Sequence, residues 1–499
     1  MLKTFFYSFL IYWKGTDKLY DYIIIGAGVI GSNIARELCR YQTKVLVLDK
    51  ENDVANVQSL ANSAIVHSGH NPEPGSLKAR LSVWGNLLYE QMEEELGIPL
   101  LKTGAYVVAH NHHEEQELDK LAELARINQV PEFSILNYEE ALLDEPNLSK
   151  TVTKVLSLPT TKVTYPWEVA FAAMENAIKN GVEFRKNALV TKIRKVGNVF
   201  YVTVNNNQEY QSKYLINAAG VASDDIAGMI EKKVPYTIKG RKGEYFVLDK
   251  RVKGFVNHVL YPLPTELGKG VLITPQFHGE ILLGPNSLEV KDKYHPTTSY
   301  EGLTYVKENA ALLADNIPIN QIIRSFAGIR STSDYDDFYI KESLEVKGFY
   351  HLGGIDSPGL TACFAIAKYL VEEVMNVGEI YSIDPNFDPL RKKKVLFNRL
   401  SLTEKKDLLL KEPLYGNIIC KCEKITEKEI LDAMHGPLGS NTIKGIKKRT
   451  RAGAGLCQGG YCEEKIIKMI AKEFNISPLE IAYDKEETKL FVAETKVKP

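Results

Sequence analysis

The hydrophobic pattern near the start of the chain predicts two buried strands joined by a helix. Tyr22–Ile25 is a short apolar run that leads into a glycine-rich turn. Apolar residues then recur at helical spacing through Leu38, and a second apolar run follows at Val45–Leu48. The pattern therefore predicts a complete strand–turn–helix–strand unit within residues 20–50.

The turn of this unit has the spacing Gly-x-Gly-x-x-Gly, formed by Gly26, Gly28 and Gly31. In such a unit the first glycine makes the tight turn, the second lets the backbone approach a pyrophosphate, and the third lets the helix pack on the strand. The helix N-terminus holds phosphate through its free amides and its dipole. Asp49, at the end of the second strand, can accept hydrogen bonds from ribose hydroxyls. The unit predicts a dinucleotide site.

Two more apolar runs end in glycine-rich segments, within residues 214–228 and 348–374. In the second segment Ser357 and a proline precede a predicted helix, which suits a helix N-terminus that faces a ligand. The candidate cofactor-binding residues of the two segments are Ala219, Gly220, Gly353, Gly354 and Gly359. Because the chain shows no second complete Gly-x-Gly-x-x-Gly unit, we expect FAD as the cofactor and no separate NAD site.

The composition is that of a globular protein of two or three domains. The chain has 499 residues, of which 44% are hydrophobic and 25% are charged, and its formal net charge is -1. The near-neutral charge gives no support for nucleic-acid binding, which usually shows a basic excess. Six cysteines are too few for a secreted disulfide scaffold, so we expect a reducing, cytoplasmic compartment.

Residues 1–19 contain a short aromatic-rich apolar run and are predicted to be an N-terminal extension. The run is shorter than the about 20 apolar residues that a membrane-spanning helix needs, and it lacks a small-residue cleavage site. We therefore expect no secretory signal, and at most a peripheral association with a membrane.

Four of the six cysteines lie within residues 416–472: Cys420, Cys422, Cys457 and Cys462. Four thiolates at one site suit either zinc or an iron–sulfur cluster. Cys420 and Cys422 are separated by a single residue, whereas structural zinc sites usually separate paired cysteines by about two to four. Glycines around the second pair expose backbone amides that can donate to cluster sulfurs, which favours the cluster.

A basic run precedes the second cysteine pair. Its members are Lys444, Lys447, Lys448, Arg449 and Arg451. Most such runs are solvated faces of a protein. The functional alternatives are a docking surface for a partner and compensation of the negative charge of a cluster.

Six segments between residues 60 and 362 carry a family resemblance. In chain order they are "ANSAIVHSGHNPEPGSLKAR", "GRKGEYFVLD", "LPTELGKGVLITP", "ILLGPNS", "SFAGIRS" and "HLGGIDSPGLTA". Together with the first nucleotide unit they resemble FAD-dependent glycerol-3-phosphate dehydrogenases and oxidases, within the D-amino-acid-oxidase-type FAD superfamily. Residues 416–472 resemble the BFD-like 2Fe-2S domain that follows the flavin domain in anaerobic dehydrogenase A subunits. The resemblance implies two cofactors, FAD and a 2Fe-2S cluster, the latter held by the four clustered cysteines.

The resemblance also implies the architecture. The expected fold class is α/β and α+β, with a Rossmann-like FAD-binding domain, an inserted mixed-sheet substrate domain and a small helical iron–sulfur domain. The oxidoreductase is assigned to residues 20–380 and the iron–sulfur domain to residues 416–472. Residues 381–415, which are charged and punctuated by prolines, are the predicted linker, and residues 473–499 are the predicted tail.

The same resemblance implies the residues of a substrate site. His67 is the expected general base, because an imidazole with an ordinary pKa of about 6.5 can take the hydroxyl proton of an alcohol near neutral pH. The implied substrate-binding residues are Ser63, Lys269, Arg330 and Ser357. Arginine suits bidentate recognition of phosphate or carboxylate, and lysine provides a point charge. His70 departs from the family pattern and receives no role.

The implied function is oxidation of sn-glycerol 3-phosphate to dihydroxyacetone phosphate. Electrons would pass from the flavin to the 2Fe-2S cluster and then to a redox partner protein or subunit. One alternative is an L-2-hydroxyglutarate or related 2-hydroxyacid dehydrogenase, because "SAIVHSGHNPEPGSLKAR" resembles that branch too. An alternative of another class is a non-catalytic iron–sulfur electron-transfer module, against which the presence of His67, Lys269 and Arg330 argues.

Overall fold

The computed structural model describes residues 18–264 and 270–495. The strands are β1 (Leu19–Ile25), β2 (Val45–Leu48), β3 (Ile65–Val66), β4 (Leu100–Lys102), β5 (Ala105–Ala109), β6 (Ser134–Asn137), β7 (Lys154–Ser157), β8 (Lys162–Thr164), β9 (Glu183–Arg185), β10 (Val190–Val196), β11 (Val199–Val204), β12 (Gln208–Asn217), β13 (Ile238–Leu248), β14 (Val259–Tyr261), β15 (Ile273–Pro275), β16 (Ile281–Leu283), β17 (Leu288–Val290), β18 (Ile322–Ser333), β19 (Tyr339–Glu342), β20 (Phe349–Gly353), β21 (Ile418–Cys420) and β22 (Ile425–Thr426). The helices are α1 (Val29–Leu38), α2 (Leu77–Leu96), α3 (His112–Ile127), α4 (Tyr138–Asp144), α5 (Pro166–Lys179), α6 (Ser223–Gly228), α7 (Tyr300–Ala310), α8 (Gly359–Lys368), α9 (Val377–Ile380), α10 (Leu402–Lys411), α11 (Glu427–His435), α12 (Ile443–Thr450) and α13 (Glu463–Phe474).

The first large sheet is built around β1 and forms the predicted Rossmann-like unit. β1 pairs in parallel with β2 and β12, and these pair in parallel with β9 and β20 respectively. Alternate residues of β1 face opposite sides, so Ile24 packs with the helices on one face and Ile23 packs on the other. The carboxyl ends of the parallel strands therefore meet at one edge, where a nucleotide site is expected.

The second large sheet is the predicted inserted mixed sheet. Its strands run in the order β17-β13-β16-β15-β14-β5-β7-β6, with β18 also paired to β13. Most neighbours are antiparallel, but β5 and β14 are parallel. β13 and β18 lie against residues 58–60 and 220–222, so this sheet covers the carboxyl edge of the first.

The predicted linker packs on the flavin-binding part of the chain. Arg391 is buried, with its Nε 2.6 Å from Glu175 Oε2 and its Nη1 3.6 Å from Glu168 Oε2. The backbone N–H of Asp388 donates to Asn180 Oδ1 at 2.8 Å. Residues 381–395 therefore pack along α5 through ion pairs and hydrogen bonds. A linker that only separates two domains would not need these contacts.

The C-terminal unit comprises α11, α12, α13 and the hairpin of β21 and β22. Its apolar core includes Ile430, Ile446 and Ile466. Ile481, in the predicted tail, is also buried in this core. Among the described residues, none of the helices in this unit or elsewhere combines the length and apolar character that crossing a bilayer requires.

The basic run on α12 faces the flavin-binding part of the chain. Arg449 is buried and donates from Nη1 and Nη2 to the two carboxylate oxygens of Asp53, at 2.8 and 2.7 Å. Lys448 Nζ lies 2.8 Å from the same carboxylate. Arg451 pairs with Glu280 and Glu423. These three cations join the two parts of the chain, so they do not form a docking surface for a partner.

We predict that Asp53→Asn weakens the docking of the C-terminal unit by about 3–5 kcal/mol, because it leaves buried cations uncompensated. Burial alone would raise the pKa of Asp53, but hydrogen bonds and charges from Arg449 and Lys448 outweigh it and lower the pKa to about 2. The wild-type contribution is therefore present above the unfolded pKa of about 3.9 and is lost as the pH falls towards about 2.

Thermal unfolding, together with limited proteolysis of residues 381–415, measures this effect. Asp432→Asn is the matched control, because Asp432 forms an exposed pair with Lys428 in the same unit and such pairs contribute little. Equal behaviour of Asp53→Asn and Asp432→Asn would contradict the role assigned to Asp53.

Candidate active site and iron–sulfur centre

A cavity of about 990 Å³ lies between the two large sheets. The predicted residues that line it are Gly26, Gly28, Asp49, Ser63, His67, Ala219, Gly220, Arg330, Ser357 and Gly359. Gly31, Gly353 and Gly354 do not line it, and Lys269 lies outside the described residues. One cavity thus brings the predicted nucleotide turn together with most of the predicted substrate residues.

The glycine turn has the geometry that a phosphate cradle needs. Gly26 has a φ of 106°, and a Cβ there would meet the carbonyl oxygen of Ala218 at 2.4 Å. A Cβ on Gly31 would meet the carbonyl oxygen of Gly26 at 1.9 Å, so α1 packs directly on the turn. The backbone N–H groups of Ile30 and Gly31 have no acceptor within the described part of the chain. Two free amides at the start of a ten-residue helix fit the pyrophosphate of FAD.

Asp49 is held in place by the backbone. Its Oδ2 accepts from the Ala27 N–H at 2.6 Å and its Oδ1 accepts from the Glu51 N–H at 2.8 Å. Burial raises the pKa of this carboxyl to about 6, although the two amides oppose the shift. Each oxygen keeps a second lone pair, so the predicted contact with ribose hydroxyls remains compatible with the structure.

The other glycine-rich strand ends serve partly in packing. A Cβ on Gly353 would meet the ring of Tyr236 at 2.3 Å, and one on Gly354 would meet Ser333 Oγ at 2.4 Å. These two glycines allow close packing behind the cavity, which gives a reason for glycine that does not involve the cofactor. Gly359, in contrast, is the first residue of α8 and lines the cavity.

His67 is fixed at three points. Its backbone N–H donates to Thr361 Oγ1 at 2.9 Å, and its carbonyl oxygen accepts from Asn86 Nδ2 at 2.9 Å. The imidazole Nδ1 lies 2.9 Å from the hydroxyl of Tyr261. Burial raises the pKa of Tyr261, so this hydroxyl stays protonated. The ring is therefore oriented by a neutral phenol beside the cavity.

Two glycines on the inner face of the second sheet allow close packing. Gly243 on β13 lies opposite Gly328 on β18 in the antiparallel register. A Cβ on Gly328 would meet the carbonyl oxygen of Ala61 at 2.1 Å, and one on Gly243 would meet Arg330 Nη2 at 2.9 Å, so these glycines admit the Ala61 loop and the Arg330 guanidinium. The next pair on this face, Tyr245 and Phe326, stacks at 4.6 Å between ring centroids, and the Tyr245 hydroxyl lies 3.4 Å from Ser63 Oγ.

Arg330 provides a positive charge on this face of the second sheet, where it lines the cavity. Its Nη2 donates to the backbone carbonyl of Asn286 at 3.3 Å. Its Nη1 is buried and has no hydrogen-bond acceptor in the described part of the chain. A buried guanidinium nitrogen without an acceptor costs free energy unless a ligand supplies one, so the site fits an anion.

The four clustered cysteines form two pairs. Cys422 Sγ lies 3.7 Å from Cys457 Sγ. A hydrogen bond with the Cys462 thiol lowers the pKa of Cys420 to about 6, so these two sulfurs are also in contact. Thiolates that share a tetrahedral metal at about 2.3 Å lie about 3.8 Å apart. In the described residues, no group of three or more His, Cys, Asp and Glu side chains is arranged to hold one ion. Two pairs fit a two-iron cluster better than a single zinc ion.

Backbone amides surround these sulfurs. The Gly453 N–H donates to Cys420 Sγ, and the Gly459 N–H donates to Cys457 Sγ. A Cβ on Gly455 would meet Cys422 Cβ at 2.6 Å, so the loop can pass close to the cysteine only with glycine there. Amide donors stabilise the negative charge of a thiolate-held cluster, as the glycine-rich sequence predicted.

Several cavity residues had no sequence signal of their own. Tyr261 reaches His67 from a strand far along the chain, and Asn286 reaches Arg330 from the loop after β16. Tyr245 is brought to Ser63 by the register of β13. The one available signal was Gly243, because a glycine inside a strand indicates a close approach of a ligand or another backbone.

Known proteins resemble the chain in both parts. Residues 21–373 match the FAD dependent oxidoreductase family, and residues 418–472 match the BFD-like 2Fe-2S binding domain. A glycerol 3-phosphate dehydrogenase of Caloramator mitchellensis is 40% identical over 478 residues, which cover 96% of this chain and 99% of that protein. The mitochondrial L-2-hydroxyglutarate dehydrogenase of Caenorhabditis elegans is 28% identical over 407 residues, covering 72% of this chain and 93% of that protein.

A solved structure is similar to the first part of the chain. It is dithionite-reduced L-alpha-glycerophosphate oxidase from Mycoplasma pneumoniae with FAD bound. It is 28% identical, has a TM-score of 0.72, and covers 76% of this chain and 100% of its own. These similarities confirm the predicted family, the fold class and the two cofactors, FAD and a 2Fe-2S cluster.

We predict that serine in place of Cys422 or Cys457 lowers the iron and acid-labile sulfide content of the anaerobically purified protein by at least about half, because a thiolate ligand is lost. Cys39→Ala is the control, because Cys39 is buried on α1's side of the first sheet and touches neither pair. Unchanged iron content in both serine variants would exclude these cysteines as ligands.

One assignment follows from three findings, which are the family match over residues 21–373, the geometry of the glycine turn and the contacts between the cysteines. The chain belongs to the FAD dependent oxidoreductase family and carries a BFD-like 2Fe-2S binding domain after its flavin-binding part.

Proposed function

We propose that the chain oxidises sn-glycerol 3-phosphate to dihydroxyacetone phosphate and delivers the electrons to a redox partner protein or subunit. The observation that carries the proposal is the cavity beside the FAD cradle, which is lined by both His67 and Arg330, whose buried Nη1 has no acceptor in the described part of the chain. A base and an anion-binding cation are what the oxidation of a phosphorylated secondary alcohol requires. The similarity to a glycerol 3-phosphate dehydrogenase over 96% of the chain supports the same substrate.

His67 takes the proton of the substrate hydroxyl at Nε2. For that, Nδ1 must carry the ring proton and donate it to the Tyr261 hydroxyl oxygen, 2.9 Å away. In this tautomer Nε2 is the ring nitrogen that can accept a proton, and the hydrogen bond stabilises the imidazolium that forms. Tyr261 is thus a positioning residue, and His67 is the catalytic base.

Arg330 binds the phosphate of the substrate and fixes its orientation. A guanidinium can donate two parallel hydrogen bonds to phosphate oxygens, and its burial strengthens them. Ser63 and Ser357 line the same cavity and can donate to substrate oxygens. Lys269 is proposed as a further cation for the phosphate from the family resemblance alone, since it lies outside the described residues.

FAD, when bound, supplies the acceptor for the hydride that leaves the carbinol carbon. Ile30, which lines the cavity and whose N–H has no acceptor in the described residues, would hold its pyrophosphate, and Asp49 would contact its ribose. The cysteine site is the place from which electrons would leave the chain. Cys420 and Cys462 are buried at 2% and 1% exposure, whereas Cys422 and Cys457 are partly exposed. A redox partner would therefore approach from the side of Cys422 and Cys457.

Oxidation of L-2-hydroxyglutarate is the second candidate function. One observation favours it, the 28% identity to an L-2-hydroxyglutarate dehydrogenase over 72% of this chain. A carboxylate can occupy the bidentate site of Arg330 as well as a phosphate can.

We predict a higher kcat/KM for sn-glycerol 3-phosphate than for L-2-hydroxyglutarate, by about 10- to 100-fold. A phosphate monoester offers one oxygen and about one negative charge more than a carboxylate, and one charged hydrogen bond contributes about 1.5–3 kcal/mol. Steady-state assays under anaerobic conditions with an artificial dye as acceptor measure both. A preference for the hydroxyacid would overturn the proposed substrate.

We predict that His67→Asn lowers kcat by about 10²–10⁴-fold while the FAD content stays the same, because only the proton acceptor is removed. His110→Asn is the control, since His110 lies outside the cavity lining and its Nδ1 contacts Thr151 Oγ1 at 3.0 Å. A His67→Asn enzyme with the wild-type rate would remove the assignment of the base.

A further inference from the structure

A second arginine stands beside Arg330 on the cavity face of the second sheet. Arg241 on β13 is directly opposite Arg330 on β18 in the antiparallel register, and both line the cavity. Side chains directly opposite each other have Cβ atoms about 4.5–5.5 Å apart. Like charges at that distance are destabilising, so a pair of this kind requires a compensating group.

Neither arginine forms an ion pair with a carboxylate in the described residues. Arg241 has no side-chain hydrogen bond there, and Glu289 on β17, its register neighbour on the other side, is exposed and does not pair with it. Arg330 donates to the carbonyl of Asn286, and its Nη1 has no acceptor in the described part of the chain. Two neighbouring guanidinium groups are therefore left to share an anion that enters from the cavity.

The position of the pair favours the substrate over FAD as the source of that anion. On the same face the Arg330 guanidinium lies over Gly243, and Tyr245 beyond it reaches Ser63. Two residues along a strand span about 6.7 Å, so Arg241 lies one such step from the glycine that the Arg330 guanidinium covers. The free amides that fit the FAD pyrophosphate are on α1, which belongs to the other sheet.

We propose that Arg241 is a second phosphate-binding residue, which holds the substrate phosphate together with Arg330. This inference rests on the proposed function. A phosphate monoester carries about two negative charges above pH 6 and offers three oxygens, so it can accept from two guanidinium groups at once. L-2-hydroxyglutarate has two carboxylates, but three carbon atoms separate them, so only one carboxylate, with one charge and two oxygens, can lie at the arginine pair. The pair therefore favours a phosphate monoester over the hydroxyacid.

Arg241→Met tests the proposal, because it keeps the length of the side chain and removes the charge. The dissociation constant of dihydroxyacetone phosphate is measured by isothermal titration calorimetry on the oxidised, FAD-loaded protein. We expect it to rise about 10- to 100-fold, while the affinity for FAD stays the same. Lys239→Met is the matched control, because it removes an equal charge two residues away on the same strand, at a residue outside the cavity lining.

Two further measurements keep the test independent of folding and of turnover. Arg241→Lys retains the charge but loses the planar fork, so an intermediate rise in the dissociation constant is expected. Wild-type binding strengthens as the ligand loses its second proton at a pH of about 6, and Arg241→Met binding depends less on this proton.

The inference and the proposed function fail in different ways. Unchanged binding of dihydroxyacetone phosphate by Arg241→Met, with tight binding by the wild type, overturns the role of Arg241 alone. Weakened FAD binding by Arg241→Met with unchanged phosphate binding assigns the residue to the cofactor and also overturns it. A wild-type protein that binds L-2-hydroxyglutarate and not the phosphate ester removes the proposed substrate and this inference together.

Discussion

The close approach of two parallel strand ends is the constraint on which the site depends. The carbonyl of Ala218, just after β12, comes so near the turn after β1 that only glycine fits at position 26. That contact turns α1 towards the cavity, where the N–H groups of Ile30 and Gly31 have no acceptor among the described residues. The loops that follow both strands then run along the same cavity, where the second sheet covers them. A side chain at Gly26 would separate these elements, and with them the cofactor cradle and the substrate residues.

Arginines in this chain have two distinct uses, which their partners reveal. Arg449 and Arg391 are buried, and each is matched to carboxylates that join segments distant in sequence. Arg330 is part-buried, and its Nη1 has no acceptor among the described residues. Arg241, its register neighbour, forms no ion pair with a carboxylate there. Buried charge without a counter-charge is costly in a folded protein, so its persistence at a cavity indicates a ligand. The same residue type therefore stabilises the fold in one place and binds an anion in another.

The parts of the fold that depend on local sequence could be predicted, and the parts that depend on distant pairing could not. The nucleotide unit around Gly26 and the clustering of four cysteines follow from spacings within short stretches of chain. The contacts of Cys422 with Cys457 and of Cys420 with Cys462 do not. Arg330 and Ser63 came only from a family resemblance, because neither stands in a local pattern with a physical meaning of its own. Tyr261 and Arg241 became visible only in the structure, since strand register decides which side chains face the cavity.

The basic run on α12 shows a further limit of reasoning from sequence. A run of cations is usually solvated, and the functional alternatives were docking of a partner and compensation of the negative charge of a cluster. Three of its members pair instead with Asp53 and Glu280, which lie 396 residues before Arg449 and 171 residues before Arg451. Ion pairs between distant segments leave no periodic signal, so their presence cannot be read from either segment alone.

The central claim is that electrons from a phosphorylated alcohol pass through the flavin site to the cysteine-held centre. Rapid anaerobic mixing of the holoenzyme with sn-glycerol 3-phosphate, followed by flavin absorbance and by electron paramagnetic resonance of samples frozen at successive times, tests it directly. The account predicts bleaching of the flavin and then the signal of a reduced 2Fe-2S cluster. A flavin that stays oxidised, or one that bleaches while the cluster remains oxidised at all times, would contradict it.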